Sequence, residues 1–304
     1  MADVRVRVPA KINLSLRVGP LRPDGFHELS TIFQAVSLVD DITVSSAPSG
    51  SGRTIAVTGD QMESVPRDDG NLAARAAIAV ARAAGIDSAD VRIDIAKSIP
   101  VAGGMAGGSA DAAATLIACR RLWNADLDDD ALHALAADLG SDVPFALVGG
   151  TARGTGRGER LVPVLTTGEW HWVVALSHGE LATPAVFAEC DRLRAAGDIR
   201  SAPGDDTDLL LALRSASAHD LAPCLVNDLQ PAALSLQPSL RRVLDAGDEL
   251  GALAGIVSGS GPTCVFLARD REHAIGLAAE FAGSGLVRGV RHAVGPVRGA
   301  HLLP

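Results

Sequence analysis

One stretch restricts this chain more than any other: Pro100-Val101-Ala102-Gly103-Gly104-Met105-Ala106-Gly107-Gly108-Ser109-Ala110-Asp111. The alternating run Val91-Arg92-Ile93-Asp94-Ile95 before it predicts a strand, and a helical run from Ser109 to Leu122 follows. Four glycines in six positions each cost about 0.5–1 kcal/mol against Ala, and a plain turn needs only one or two. At a strand-to-helix junction they let the backbone approach an anion and point successive N–H groups at it. The helix that follows adds free N–H groups and its positive dipole end. Ser109 is placed to cap that helix and to donate to phosphate or sit near Mg²⁺. The stretch reads as a cradle for nucleotide phosphates. It is not a Walker A loop, because no Gly-Lys-Ser or Gly-Lys-Thr occurs, and it lacks the Gly-x-Gly-x-x-Gly of a dinucleotide site.

Around this loop the chain reads as α+β. Strands are predicted at Val4–Val8 and Ile12–Leu16, interrupted by Pro9-Ala10, and at Asp41–Ser45, with a hairpin tip at Ser49–Gly52. Helices are predicted over Asn71–Ala84 and Asp128–Leu139, each closed by a glycine. A second glycine-rich stretch, Gly149–Gly158, separates the halves. Beyond it come strands near Trp172–Leu176, Leu253–Val257, Thr263–Leu267 and Val287–Ala293. Helices are predicted near Pro184–Ala195, Ser239–Leu250 and Arg271–Phe281, and Asp198–Asp208 reads as a loop. With 304 residues this predicts two α+β domains, 1–155 and 156–304.

Charge and cysteine usage remove several classes of function. The net charge of −9 shows no basic face for nucleic acid. Cys119, Cys190, Cys224 and Cys264 are far apart, with no Cys-x-x-Cys pair. They are expected to be buried reduced thiols rather than a zinc site or disulfide framework, and no resident metal site is predicted. No run of 18 apolar residues and no basic stretch leading an apolar segment occurs, so a cytoplasmic protein without a membrane span is expected. Of 27 basic residues only Lys11 and Lys97 are lysine, which marks both as places where a slim, rotatable ammonium is needed.

The glycine loop, as Pro-x-x-x-Gly-Met-x-Gly-Gly-Ser-Ala, resembles the second motif of the galactokinase–homoserine kinase–mevalonate kinase (GHMP kinase) superfamily. Val8-Pro9-Ala10-Lys11-Ile12-Asn13-Leu14 is similar to its first motif, and Gly255-Ile256-Val257-Ser258-Gly259-Ser260-Gly261-Pro262-Thr263-Cys264 to its third. The resemblance implies the two-domain GHMP kinase fold, with a ribosomal protein S5 domain 2-like N-terminal domain and a ferredoxin-like C-terminal domain. It also implies ATP and Mg²⁺, bound by Lys97 and the loop from Pro100 through Val101, Ala102, Gly103, Gly104, Met105, Ala106, Gly107, Gly108 and Ser109 to Ala110.

Two further strings, Arg22-Pro23-Asp24-Gly25-Phe26-His27-Glu28-Leu29 and Leu139-Gly140-Ser141-Asp142-Val143-Pro144-Phe145, narrow the resemblance. They are similar to the branch that phosphorylates the C2 hydroxyl of 4-diphosphocytidyl-2-C-methyl-D-erythritol, in the non-mevalonate route to isopentenyl diphosphate. In that branch Asp142 matches the catalytic aspartate and Lys11 the catalytic lysine. A carboxylate accepts the proton of a poorly nucleophilic tertiary hydroxyl, and a lysine beside it keeps it ionised. Asp142 also reads as a cap for a helix beginning at Pro144. Phe26 and Phe187 match the two faces of a cytosine slot, His27 its base-edge partner, and Asn13 and Thr183 further substrate contacts. Core packing is the competing use of each Phe. Asn227-Asp228 resembles a family string, with helix capping as its default role. A monomer or homodimer is expected. Another kinase of the superfamily, such as homoserine kinase, or a catalytically idle nucleotide-binding protein are the alternative readings. The string Asp24–Leu29 speaks against the first, and retention of Lys11, Asp142 and the loop glycines against the second.

Overall fold

The computed structural model of the chain describes residues 3–59, 62–199 and 205–304. Strands β1 (Asp3–Leu21) and β2 (His27–Ser46) pair antiparallel along most of their length. The expected break at Pro9-Ala10 is a register shift inside one long strand. A bulge tolerates a residue that cannot donate to the ladder. β2 extends well before the expected Asp41, because residues 31–36 are buried without interruption and show no alternation to read.

β3 (Arg53–Gly59) does not form the expected hairpin with β2. It pairs parallel with β4 (Val91–Lys97), which lies between the two. The turn at Ser49–Gly52 is held by Asp90, whose carboxylate accepts from Gly50 N and Gly52 N. Helix α1 (Leu72–Ala83) is capped by Asn71, and α3 (Asp129–Leu139) by Asp128. Between them α2 (Gly107–Leu122) packs its buried alanines against those of α1, small side chains letting the helices approach closely. α4 (Val143–Val148) follows. The glycine-rich stretch expected to separate the halves is instead β5 (Thr151–Gly156), which joins β2 and forms a hairpin with β6 (Arg160–Pro163).

The second half contributes β7 (Trp170–Leu176), α5 (Thr183–Ala196), α6 (Thr207–Ser215), α7 (Ala218–Leu221), β8 (Val226–Asn227) and α8 (Gln230–Leu236). Then come α9 (Ser239–Glu249), β9 (Ala254–Val257), β10 (Cys264–Ala268), α10 (Arg271–Gly283), β11 (Gly289–Gly295) and β12 (His301–Leu302). The antiparallel sheet runs β11-β7-β10-β9, the ferredoxin-like order. β8 and β12 return to pair with β1 in the first sheet. Of the expected loop at Asp198–Asp208, residues 200–204 lie outside the described residues, and Thr207 and Asp208 open α6.

The two sheets are tied by Trp172, whose buried indole Nε1 donates to Gln34 Oε1 at 3.0 Å. Cys119, Cys190 and Cys264 are buried free thiols, and burial pushes Cys264 up to about 12; Cys224 is only half-buried. Among the described residues no helix is long and apolar enough to cross a membrane.

Candidate active site

The two halves enclose a cavity of about 900 Å³. One wall is the glycine loop, and its geometry differs from the sequence expectation in an instructive way. The helix begins at Gly107, not Ser109, with Ala106 as its cap in a left-handed conformation and no side-chain cap bond. The first bond along it is Ala110 N to Ala106 O, so the N–H groups of Gly107, Gly108 and Ser109 precede the intrahelical ladder. Those three are the donors a phosphate would meet. Met105 and Ala110 sit in the hydrophobic core instead, with the Ala110 N–H already bonded.

The loop glycines answer mainly to space. Ala102 and Ala106 adopt the left-handed region without being glycine. A Cβ on Gly104 would lie 2.1 Å from Ser258 O, and one on Gly103 2.9 Å from Thr263 Oγ1. The phosphate loop is therefore seated directly on the loop of the third motif. That second loop is in turn held by Asn227, whose amide donates to Val257 O and Gly259 O at 2.8 Å each. Asn227 Oδ1 also accepts from Leu229 N at 2.9 Å at the entrance of α8, so the same side chain holds the helix start and the loop. Asp228 accepts from Val18 N and pairs with Arg194.

Lys97 is buried beneath the loop and also lines the cavity. Its ammonium bonds Asp40 and, at 3.0 Å, Asp111 Oδ2, and a Cβ on Gly107 would lie 3.1 Å from it. Asp40 also accepts from Ser98 N and Ile99 N. Two carboxylates around one cation leave an excess negative charge in a dry place. Burial accordingly holds Asp111 well above the usual carboxylate range, against the pull of Lys97. Burial also works against the charge on Lys97, but Asp111 and Asp40 together raise it above an ordinary lysine. Among the described residues Asp111 Oδ1 has no partner. Lys97 with Asp40 and Asp111 forms a buried ion triad that braces the strand before the loop to the helix after it.

The second lysine faces the cavity. Lys11 Nζ donates to Asn13 Oδ1 at 2.9 Å and stands 3.7 Å from Asp142 Oδ2 and 5.4 Å from the centre of the Phe33 ring. Asn13 in turn donates to Thr31 Oγ1 at 2.7 Å, so both its polar ends serve to orient the lysine. Asp142 stands at the start of α4 but its side chain makes no cap bond, and its carboxylate is about one-third exposed. The capping alternative is therefore not what this carboxylate does. Lys11 comes from the middle of β1 and Asp142 from a helix entrance far away in sequence; the packing of α4 against the sheet brings them together.

The far end of the cavity holds the aromatic residues. His27 is buried, Phe26 is half-exposed, and Phe187 projects from α5. Phe26 and Phe187 both line the cavity. Phe187 stacks on His27, ring centres 5.0 Å apart, and Phe26 carries the Arg157 guanidinium at 5.1 Å. Thr183, at the start of α5, shares a 2.8 Å hydroxyl contact with Ser260 of the third motif. Arg157, Asp191 and Ser260 are cavity residues that the sequence reading missed. Only Ser260 carried a signal, its place in a quoted motif.

Among the described residues no three His, Cys, Asp or Glu side chains converge as a metal cage. Mg²⁺ typically keeps waters and phosphate oxygens and takes one or two protein ligands, so the Ser109 hydroxyl beside the free helix N–H groups fits a nucleotide-borne ion.

Residues 71–150 match the family model described as the GHMP kinases N terminal domain, and residues 205–285 that of the GHMP kinases C terminal. The chain is 56% identical over 302 residues to the 4-diphosphocytidyl-2-C-methyl-D-erythritol kinase of Nocardia farcinica, across 99% of this chain and 97% of that one. A crystal structure of 4-(cytidine 5′-diphospho)-2C-methyl-D-erythritol kinase superposes with a TM-score of 0.76 at 34% identity, across 95% and 98% of the two chains. A homoserine kinase structure from Cytophaga hutchinsonii, with a TM-score of 0.75 at 19% identity over 100% and 98%, shares the fold.

Proposed function

The chain belongs to the 4-diphosphocytidyl-2-C-methyl-D-erythritol kinases, within the GHMP kinases, and on that footing we propose how its residues divide the work. The reaction is ATP-dependent phosphorylation of an alcohol on 4-diphosphocytidyl-2-C-methyl-D-erythritol, a step of the non-mevalonate isoprenoid pathway. The phosphates of ATP lie against the N–H groups of Gly107, Gly108 and Ser109, where the positive end of α2 favours their charge. The Ser109 hydroxyl would help hold a nucleotide-borne Mg²⁺, which would supply neutralisation of phosphate charge.

The C2 hydroxyl of the substrate lies between Asp142 and the terminal phosphate. Asp142 accepts its proton as the new O–P bond forms. Lys11 stabilises charge on the reacting oxygens, its direction fixed by Asn13. Cytosine lies against Phe26 and Phe187 with His27 at its edge. Base–aromatic stacking is worth about 1–3 kcal/mol. Thr183 contacts the substrate from the head of α5.

The observation that carries this reading is the Lys11–Asp142 pair, 3.7 Å apart in the cavity that the glycine loop and the aromatic cluster share. The test is ADP release from ATP and Mg²⁺, with the cytidine substrate and homoserine offered separately to the natural protein and to Asp142→Asn. Turnover of the cytidine substrate alone, with kcat reduced about 10²–10⁴-fold in the variant, is expected. Full activity of Asp142→Asn would remove the proton-acceptor role.

A further inference from the structure

Helix α5 turns Phe187 and Asp191, four residues apart, toward the same ring. Phe187 stacks on the His27 imidazole, the planes 29° apart. Asp191 brings both carboxylate oxygens to 3.0 Å from His27 Nε2. The ring is thus fixed from two sides by successive turns of one helix. An ionised carboxylate can only accept, so the hydrogen sits on Nε2. In the neutral imidazole the other nitrogen, Nδ1, is then an acceptor. Nδ1 bonds to nothing among the described residues, and His27 lines the cavity.

Cytosine and uracil differ at ring position 4. Cytosine presents an amino donor and uracil a carbonyl acceptor. An acceptor held at that edge bonds the first and repels the second. We propose that Asp191 is a positioning residue that sets the His27 tautomer, so that Nδ1 selects a cytosine over a uracil nucleotide. This rests on the reading that the base lies against Phe26 and Phe187. Asp191 acts through His27, in the way an outer carboxylate fixes which nitrogen of a ligating histidine is free.

The test compares kcat and KM for the cytidine substrate and its uridine diphosphate analogue, in the natural protein and in Asp191→Asn and His27→Ala. Nitrogen-15 NMR of the imidazole reads the tautomer directly. An asparagine offers Nε2 either its oxygen or its amide hydrogens, so it admits both tautomers. Asp191 is more than one-third exposed, so this exchange leaves the packing intact. The expected result is an Nε2–H tautomer in the natural protein, a mixture in Asp191→Asn, and a cytidine-to-uridine preference in kcat/KM that falls about tenfold or more, mainly through KM. An unchanged preference in Asp191→Asn, with a raised cytidine KM in His27→Ala, would overturn the tautomer control and leave the cytosine slot standing. An unchanged cytidine KM in His27→Ala would remove the slot itself, and this inference with it.

Discussion

Replacing Lys97 by Met separates two uses of a lysine under a phosphate loop. In the structure its ammonium is buried between Asp40 and Asp111. Lys97→Met keeps the length of the side chain but leaves two buried carboxylates without their cation. Breaking a buried pair this way costs about 3–5 kcal/mol, because an uncompensated charge remains. With an unfolding entropy of about 2.1 cal/mol/K per residue, 304 residues convert that to a fall in Tm of roughly 5–8 °C.

The loss depends on pH in a stated direction. Asp111 is held above its ordinary value by burial, so its contribution to stability is present below the ordinary carboxylate range and lost as pH rises through the raised value. Lys97 opposes that rise. Without it Asp111 moves further up, and the folded variant takes a proton more readily. The Tm gap between Lys97→Met and the natural protein is therefore expected to be widest at pH 8 and to narrow toward pH 5, by scanning calorimetry at both. ATP affinity, measured by titration calorimetry below the Tm of both proteins, should fall less than the stability does. A variant with natural Tm at both pH values but ATP affinity reduced tenfold or more would refute the brace and restore Lys97 as a nucleotide contact.

Three more outcomes follow from the geometry. Gly104→Ala forces a left-handed alanine, about 1–2 kcal/mol, and places a Cβ 2.1 Å from Ser258 O, so thermal melts should show a lower Tm together with weaker ATP binding. Asn227→Ala strips the shared donor from Val257 O and Gly259 O, and each buried carbonyl left unpaired costs about 1–3 kcal/mol; urea unfolding should show the loss, with KM for both substrates raised as the third-motif loop slackens. Arg157→Ala removes a guanidinium stacked on Phe26, a contact worth about 0.5–1 kcal/mol, so steady-state kinetics should show KM for the cytidine substrate up about two- to fivefold and KM for ATP unmoved.

Residues close together in sequence were legible where one local cause dominates. The helices expected from Asn71 and Asp128 start there, each of these residues serving as the cap, because helix starts involve only the next few residues. The glycine loop was legible as a strand-to-helix junction for the same reason, and with the motifs on either side of it carried the family. The strand interior of β2 was not, since a strand covered on both faces has no alternation to betray it. Nor was the parallel pairing of β3 with β4, which depends on a strand inserted from some 30 residues later.

The sequence by itself determined that this chain holds a glycine-rich strand-to-helix loop, two unusual lysines and the motifs of a GHMP kinase, because those are strings of neighbours. The tertiary structure decided how the lysines divide. Lys97 is neutralised by Asp40 and Asp111, partners 57 and 14 residues away, and Lys11 is left to meet Asp142 across the cavity. It also made Gly104 a docking point against Ser258, 154 residues on, and gave His27 the Asp191 that fixes its ring. A charge is priced by its burial and by which opposite charge lies within about 4 Å, and neither quantity exists until the chain has packed.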